Sequence, residues 1–172
     1  MNNYAVLSGT EILGVLSSEA SPQGGVLLPA PLIWSTRPSE HHRAHLINGV
    51  LSWQDNRSLA EAKEQKLQEL KVAREAAVNS TFTWDGSVFD SDQVSQTRLM
   101  GMYVDSQTPG FSTQAWRLAD NSWRVLDAED AAGVWAALKA HMATQFTRFA
   151  ALETQLNAVG TDTLAEVDAI TW

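Results

Sequence analysis

Apolar residues follow two different rhythms along this 172-residue chain, and the rhythm changes at Ser58. Before that point short apolar runs alternate with turns and show no helical period, which predicts strands and loops. "YAVLSGTEILGVL" predicts two strands joined around Ser8 to Glu11. "RAHLINGVLSW" predicts a hairpin, because Asn48-Gly49 supplies the two positive-φ positions that a two-residue turn requires. Between them, "SPQGGVLLPAPLIWSTRPSE" is proline-rich and reads as extended, either a linker or a surface-hugging arm.

From Ser58 onward helical spacing dominates. "SLAEAKEQKLQELKVAREAAV" opens with a Ser-x-x-Glu capping box and predicts a helix from about Leu59 to Val78. Its narrow stripe of Leu59, Leu67, Leu70 and Ala77 suits a connector or a coiled-coil strand, and its mixed charges read as a solvated face. "STFTWDGSVFD" predicts a hairpin turning at Asp85-Gly86, and "SDQVSQTRLMGMYV" a short helix with Val94, Leu99, Met102 and Tyr103 apolar. "QAWRLADNSWRVL" predicts a third hairpin, with Trp116 and Leu118 answered by Trp123 and Val125 across Asp120-Asn121. The longest helix starts after Asp127, with Glu129 and Asp130 in its first turn, and runs to about Val159 before Gly160. Seven-residue spacing along it links Trp135, Met142, Phe149 and Leu156 in one series and Leu138, Gln145, Leu152 and Val159 in another. Such a stripe serves either a self-associating seam, with Gln145 setting register, or the bundle of a single chain. The tail "TDTLAEVDAITW" has a second capping box at Thr163 to Glu166 and predicts a short final helix folded back onto an apolar surface.

Composition narrows the functions that such a chain can serve. A net charge of −8 disfavours nucleic acid and anionic membranes as partners. The absence of cysteine rules out disulfides, thiolate metal sites and cysteine nucleophiles. With no basic n-region at the start and no long apolar run, a signal peptide and a membrane span are both unsupported, and a soluble chain made in the cytoplasm is expected. Seven tryptophans spread along the length point to several small cores or interfaces.

Candidate chemistry is sparse. His41, His42 and His45 in "HHRAH" have residue types that hold zinc, but strand alternation sends His42 and His45 to opposite faces. His141 stands alone on the long helix, and "PQGGVLLP" has a phosphate loop's glycines without its helix. No Gly-x-Ser-x-Gly elbow is present. "FTWDGSVFDSD" clusters acids at 85, 90 and 92, a spacing that does not make a calcium loop. Asp85-Gly86 is a turn, and Asp90 to Asp92 cap the helix beginning near Gln93.

The order of features from residue 58 on, a charged helix, "FTWDGSVFDSDQVSQTRLMGM", "WRLADNSWRVLDAEDAAGVWAALKAHM" and "LAEVDAITW", resembles a domain of unknown function found in tail-fibre and tail-assembly proteins of phages and prophages. The positions that carry the resemblance are Phe89, Asp90, Ser95, Gln96, Trp116, Asp120, Asn121, His141 and Trp172. It implies a virion or assembly role and no enzymatic activity, and it assigns no catalytic residue, metal or cofactor. The expected fold is α+β, an N-terminal β module over residues 1–57 and a mainly helical domain over 58–172. The expected function is a structural component of a phage tail or baseplate that connects or helps assemble the receptor-binding fibre. A dissociable fibre chaperone and, further off, a tail hydrolase are the alternatives. Expected partners are further copies of the chain, other tail or baseplate proteins and the fibre, in the virion tail. Contacts would run through Trp116, Trp123, Trp135, Leu138, Met142, Gln145, Phe149, Leu152, Leu156, Val159 and Trp172.

Overall fold

The computed structural model describes residues 2–8, 11–18, 26–27, 40–47, 50–160 and 164–172. The chain is α+β and divides into two units, Met1–Ser58 and Leu59–Trp172.

The first unit is an antiparallel sheet of β1 (Asn2–Ser8), β2 (Glu11–Ser18), β3 (Val26–Leu27), β4 (His42–Ile47) and β5 (Val50–Asp55), in the order β3-β1-β2-β4-β5. Both hairpins expected from the alternation are present, the first with a register shift between Val6 and Leu7. Within the proline-rich stretch, Val26–Leu27 adds an edge strand to β1. The rest of that stretch up to Ser39 and the Asn48-Gly49 turn lie outside the described residues. Ile12 and Ala44 are buried, and Arg57 grips the Asp55 carboxylate through both its Nη2 (2.5 Å) and its Nε (2.9 Å). That bond holds the Asp55 carboxyl below its ordinary pKa.

The second unit is organised along one helix. It contains α1 (Leu59–Val78), the hairpin β6 (Thr81–Trp84) and β7 (Ser87–Asp90), α2 (Gln93–Ser106), the hairpin β8 (Gln114–Arg117) and β9 (Trp123–Leu126), α3 (Ala128–Ala158) and α4 (Leu164–Ala169). The local signals act as expected. Asp85 and Gly86 take φ of 44° and 73°, so the β6–β7 connection is the two-residue turn whose twist matches its strands. Asp127 caps α3 in a reciprocal box with Asp130.

At 31 residues α3 is about 46 Å long, and it passes through two separate cores. Its N-terminal half contributes Ala131, Val134 and Leu138 to a core completed by both hairpins and α2 through Phe82, Phe89, Leu99, Met102, Trp116 and Leu126. Phe89, Leu99, Leu126, Val134 and Leu138 are fully enclosed, each stabilising by about 1.5–3 kcal/mol. Its C-terminal half contributes Phe149 and Leu156 to a second core with Ala62 and Leu70 of α1 and Val167 of α4.

The heptad stripe is therefore spent inside one chain. Leu138, Phe149 and Leu156 are buried, while Trp135, Met142, Leu152, Val159 and Trp172 are partly buried against these two cores. Gln145 is also half-buried. Within the chain these apolar side chains pack into or against the two cores that α1, α2, α4 and the hairpins complete. Of the two readings of α1, connector or coiled-coil strand, the connector is corrected: α1 is the antiparallel partner of the second half of α3.

Two long-range hydrogen bonds set the register of that pair. Lys63 near the start of α1 donates from Nζ to the Val159 carbonyl at the end of α3, at 2.7 Å. His141 of α3 places Nε2 3.0 Å from the Ala77 carbonyl at the end of α1. Neither helix has a basic residue in its own last turn. Each thus has a carbonyl at its C-terminal end bonded by a side chain from the other.

Candidate functional site

The two hairpins are cross-linked chiefly by Arg124 and also by a backbone bond from Ala119. Arg124 on β9 donates from Nη1 to the Asp85 carbonyl (3.0 Å) and to Ser87 Oγ (2.9 Å), and from Nη2 to Asp85 Oδ2 (2.6 Å). Its guanidinium lies 4.8 Å from the Trp84 ring centroid, and Ala119 N–H donates to the Val88 carbonyl at 3.0 Å. These bonds position β8 beside the end of β7 and the first turns of α2.

A cleft of about 420 Å³ opens there. It is lined by the whole of β8 with Leu118, by Asp90, by Ser95 and Arg98 of α2, and by Asn121 and Trp123. The loop from Leu118 to Ser122 holds its shape by a Leu118 N–H to Ser122 C=O bond at 2.9 Å and by Asn121 in the left-handed region, φ 69°. Asp120 accepts from Ser122 N–H and Oγ, and the hydroxyl above all keeps its carboxyl below the ordinary pKa.

The acid cluster that the sequence raises divides in two. Asp92 alone is the helix cap, accepting from Val94 N–H (2.9 Å) and Ser95 N–H (3.2 Å); the Ser95 hydroxyl and these amides hold its pKa down. Asp90, expected to share the capping, is instead the last residue of β7 and lines the cleft. No group of three or more histidine, aspartate and glutamate side chains is placed to hold a metal ion among the described residues. His45 is buried with Nε2 3.3 Å from Asn56 Oδ1. His141 and the buried Ser91 lie 3.5 Å apart, but each is turned to backbone: Ser91 Oγ donates to the Val78 carbonyl at 2.7 Å. That pair closes the end of α1.

The β8–β9 tryptophans part company. The register pairs Trp116 with Arg124 and Arg117 with Trp123, so Trp116 and Trp123 point to opposite faces. Trp116 is in the core, whereas Trp123 is 69% exposed and Val125, on the same face, 62%. The expected stacking of Trp116 and Leu118 on Trp123 and Val125 is corrected: the five-residue loop puts Trp123 across from Arg117. Other large apolar residues that are exposed include Val72 of α1, at 70%, and Val94, Met100 and Val104 of α2.

No helix among the described residues is long and apolar enough to cross a membrane. The DUF4376 family, described as a domain of unknown function, matches residues 61–171, well over half of the chain. The chain belongs to the DUF4376 family. No curated protein and no solved structure matches it. The DUF4376 match coincides with the helical unit built on α3 and contains the cleft, both cores and the reciprocal caps. Sequence reasoning passed over Arg98 and Arg117 of the cleft. Their signal was available only as two basic residues in an acidic chain, nineteen positions apart, which nothing local brings together.

Proposed function

We propose that this DUF4376 protein is a structural component of a phage tail or baseplate that connects the receptor-binding fibre or helps it assemble, acting through protein contacts. The observation that carries the reading is the exposed face of the β8–β9 hairpin. A domain that encloses its heptad seam nevertheless leaves Trp123 and Val125 in solvent on one rigid surface. Exposed aromatic side chains on preorganised elements are the usual anchors of protein interfaces, because a tryptophan buries much area at low entropic cost. The resemblance of residues 58–172 to a domain of tail-fibre and tail-assembly proteins supplies the biological setting.

On this reading Trp123, with Val125 beside it, is the docking anchor, and the outer face of α1 around Val72 is the surface through which copies of the chain associate. Leu138, Phe149 and Leu156 maintain the scaffold behind them.

Mass spectrometry of purified particles from the phage or prophage that encodes the chain is the deciding experiment. The protein is expected in stoichiometric amount with the tail proteins. Its presence in assembling lysates but absence from finished particles would replace the component with a dissociable chaperone. Clearing of cell wall or surface glycan by the purified chain in a zymogram would overturn the non-enzymatic reading altogether.

A further inference from the structure

The arginines of the second unit are not used alike. Arg74 is paired with Glu75 and lies over Phe146 and Phe149; Arg124 is paired with Asp85 and stacked on Trp84; Arg148 covers Trp172. Among the described residues, the side chains of Arg98 and Arg117 make no ion pair, hydrogen bond or ring contact. In a chain with 20 acids and 12 bases, unpaired guanidinium groups are the ones expected to find carboxylates first, yet these two line the same cleft. The single carboxylate there, Asp90, forms no bond with either, so the lining keeps an excess of positive charge.

The shape of the cleft says what form the anion takes. Among the described residues β8 belongs to a two-stranded ladder with β9 and its other edge pairs with no strand, and Gln114 to Arg117 all line the cleft. An unpaired strand edge beside a lining of net positive charge is a geometry suited to strand addition, in which main-chain bonds give affinity and alternate side chains give specificity. We propose that this cleft captures an extended, acidic segment of a partner protein: the segment runs along β8, its carboxylates meet Arg98 and Arg117, and an apolar side chain lies against Trp123. Planar guanidinium groups suit this task, since each can take a carboxylate through two parallel bonds. The proposal goes beyond the tail reading and does not depend on it, because the ligand is identified by charge and backbone form alone.

A randomised octapeptide library selected on the purified full-length protein, in parallel with an Arg98→Gln/Arg117→Gln variant, tests it. Both side chains are exposed, so the variant is expected to match the parent in circular dichroism and melting temperature. The parent should enrich sequences with Asp or Glu at alternating positions. The best of these, as a blocked synthetic peptide, should bind the double variant at least tenfold more weakly, lose affinity with added salt and shift the amide resonances of Gln114 to Leu118. Selection without acidic preference, or equal binding to the variant, overturns the proposal. So does a titration in which free glucuronate moves these resonances and the peptide does not, which would make the cleft an acidic-sugar site.

Discussion

Gly133→Ala should reverse an ordinary rule of helix stability. Gly133 lies in the interior of α3, where alanine normally stabilises by about 1 kcal/mol through a smaller loss of backbone entropy. Here a Cβ would stand 2.6, 2.7 and 2.8 Å from Cζ2, Cε2 and Nε1 of Trp84. Carbon contacts are comfortable at about 3.5–4.0 Å, so the indole must retreat by roughly 1 Å. It has little room to do so: Arg124 lies over its face at 4.8 Å, and Phe89, fully buried, meets it edge-on at 6.3 Å. Overpacking of a held ring costs about 3 kcal/mol at the upper end of the usual range, leaving a net loss of about 2 kcal/mol after the propensity gain. For a unit of this size that is a fall of roughly 8 °C in melting temperature, read by far-UV circular dichroism of the full chain at 222 nm, where the helices dominate. In a Trp84→Leu background the clash is gone, and the same Gly133→Ala change should raise stability by about 1 kcal/mol. Stabilisation by Gly133→Ala in the parent chain, or the same effect in both backgrounds, would refute the claim that the glycine exists to seat Trp84.

Lys63→Met keeps the aliphatic stem but removes the donor to Val159, and should cost about 1 kcal/mol in chemical denaturation, with less effect at high salt. Asp92→Asn concerns a cap whose folded pKa is depressed below the reference 3.8, so its charge stabilises above that value and the contribution is lost as pH falls through the folded pKa. The two proteins should differ in melting temperature at pH 6 and draw together as the pH falls below 3.8 and through the depressed folded pKa. Leu152→Asp, which would probe a seam between chains if one existed there, places a charge among Leu70, Phe149 and Val167; it should lower stability by about 2–4 kcal/mol and leave the mass from light scattering unchanged. Val72→Glu, on the outer face of α1, should do the opposite, reducing the scattering mass of an associated chain with a stability change within about 0.5 kcal/mol.

The parts of the fold legible in the sequence are those with a local cause. Helix α1 follows from its strong helix formers, the β6–β7 turn from Asp85-Gly86, the start of α3 from Asp127 and Asp130, and the folded-back α4 from the pattern around Val167. Spacing also marked Trp135, Leu138, Met142, Phe149, Leu152 and Leu156 as one inward face. It could not say what covers that face, because a seven-residue stripe is the same whether the opposing helix belongs to the same chain or another. Trp116 and Trp123 were misjudged for a related reason: loop length fixes hairpin register, and the five residues from Leu118 to Ser122 shift the pairing so that one ring is buried and the other bare. Asp90 and Asp92 look equivalent in sequence, yet only one faces the free amides of α2. The cleft was invisible because Arg98 of α2 and Arg117 of β8 come to one lining only through the tertiary fold.

Lys63 and Val159 are 96 residues apart, and α1 has no partner until the second half of α3 exists. At about 5–20 residues per second, a ribosome exposes α1 for roughly 5–20 s before Phe149 and Leu156 arrive to cover Leu70. During that interval the helix must survive alone, too short of apolar surface to fold stably and too apolar to be inert. The Lys, Glu and Arg residues from Lys63 to Glu75, among them the Lys66–Glu69 pair at 2.8 Å, give that waiting segment a charged face, the kind of flank that opposes aggregation of an exposed apolar stripe. The charged face of α1, ordinary in the finished molecule, is thus a provision for the nascent one.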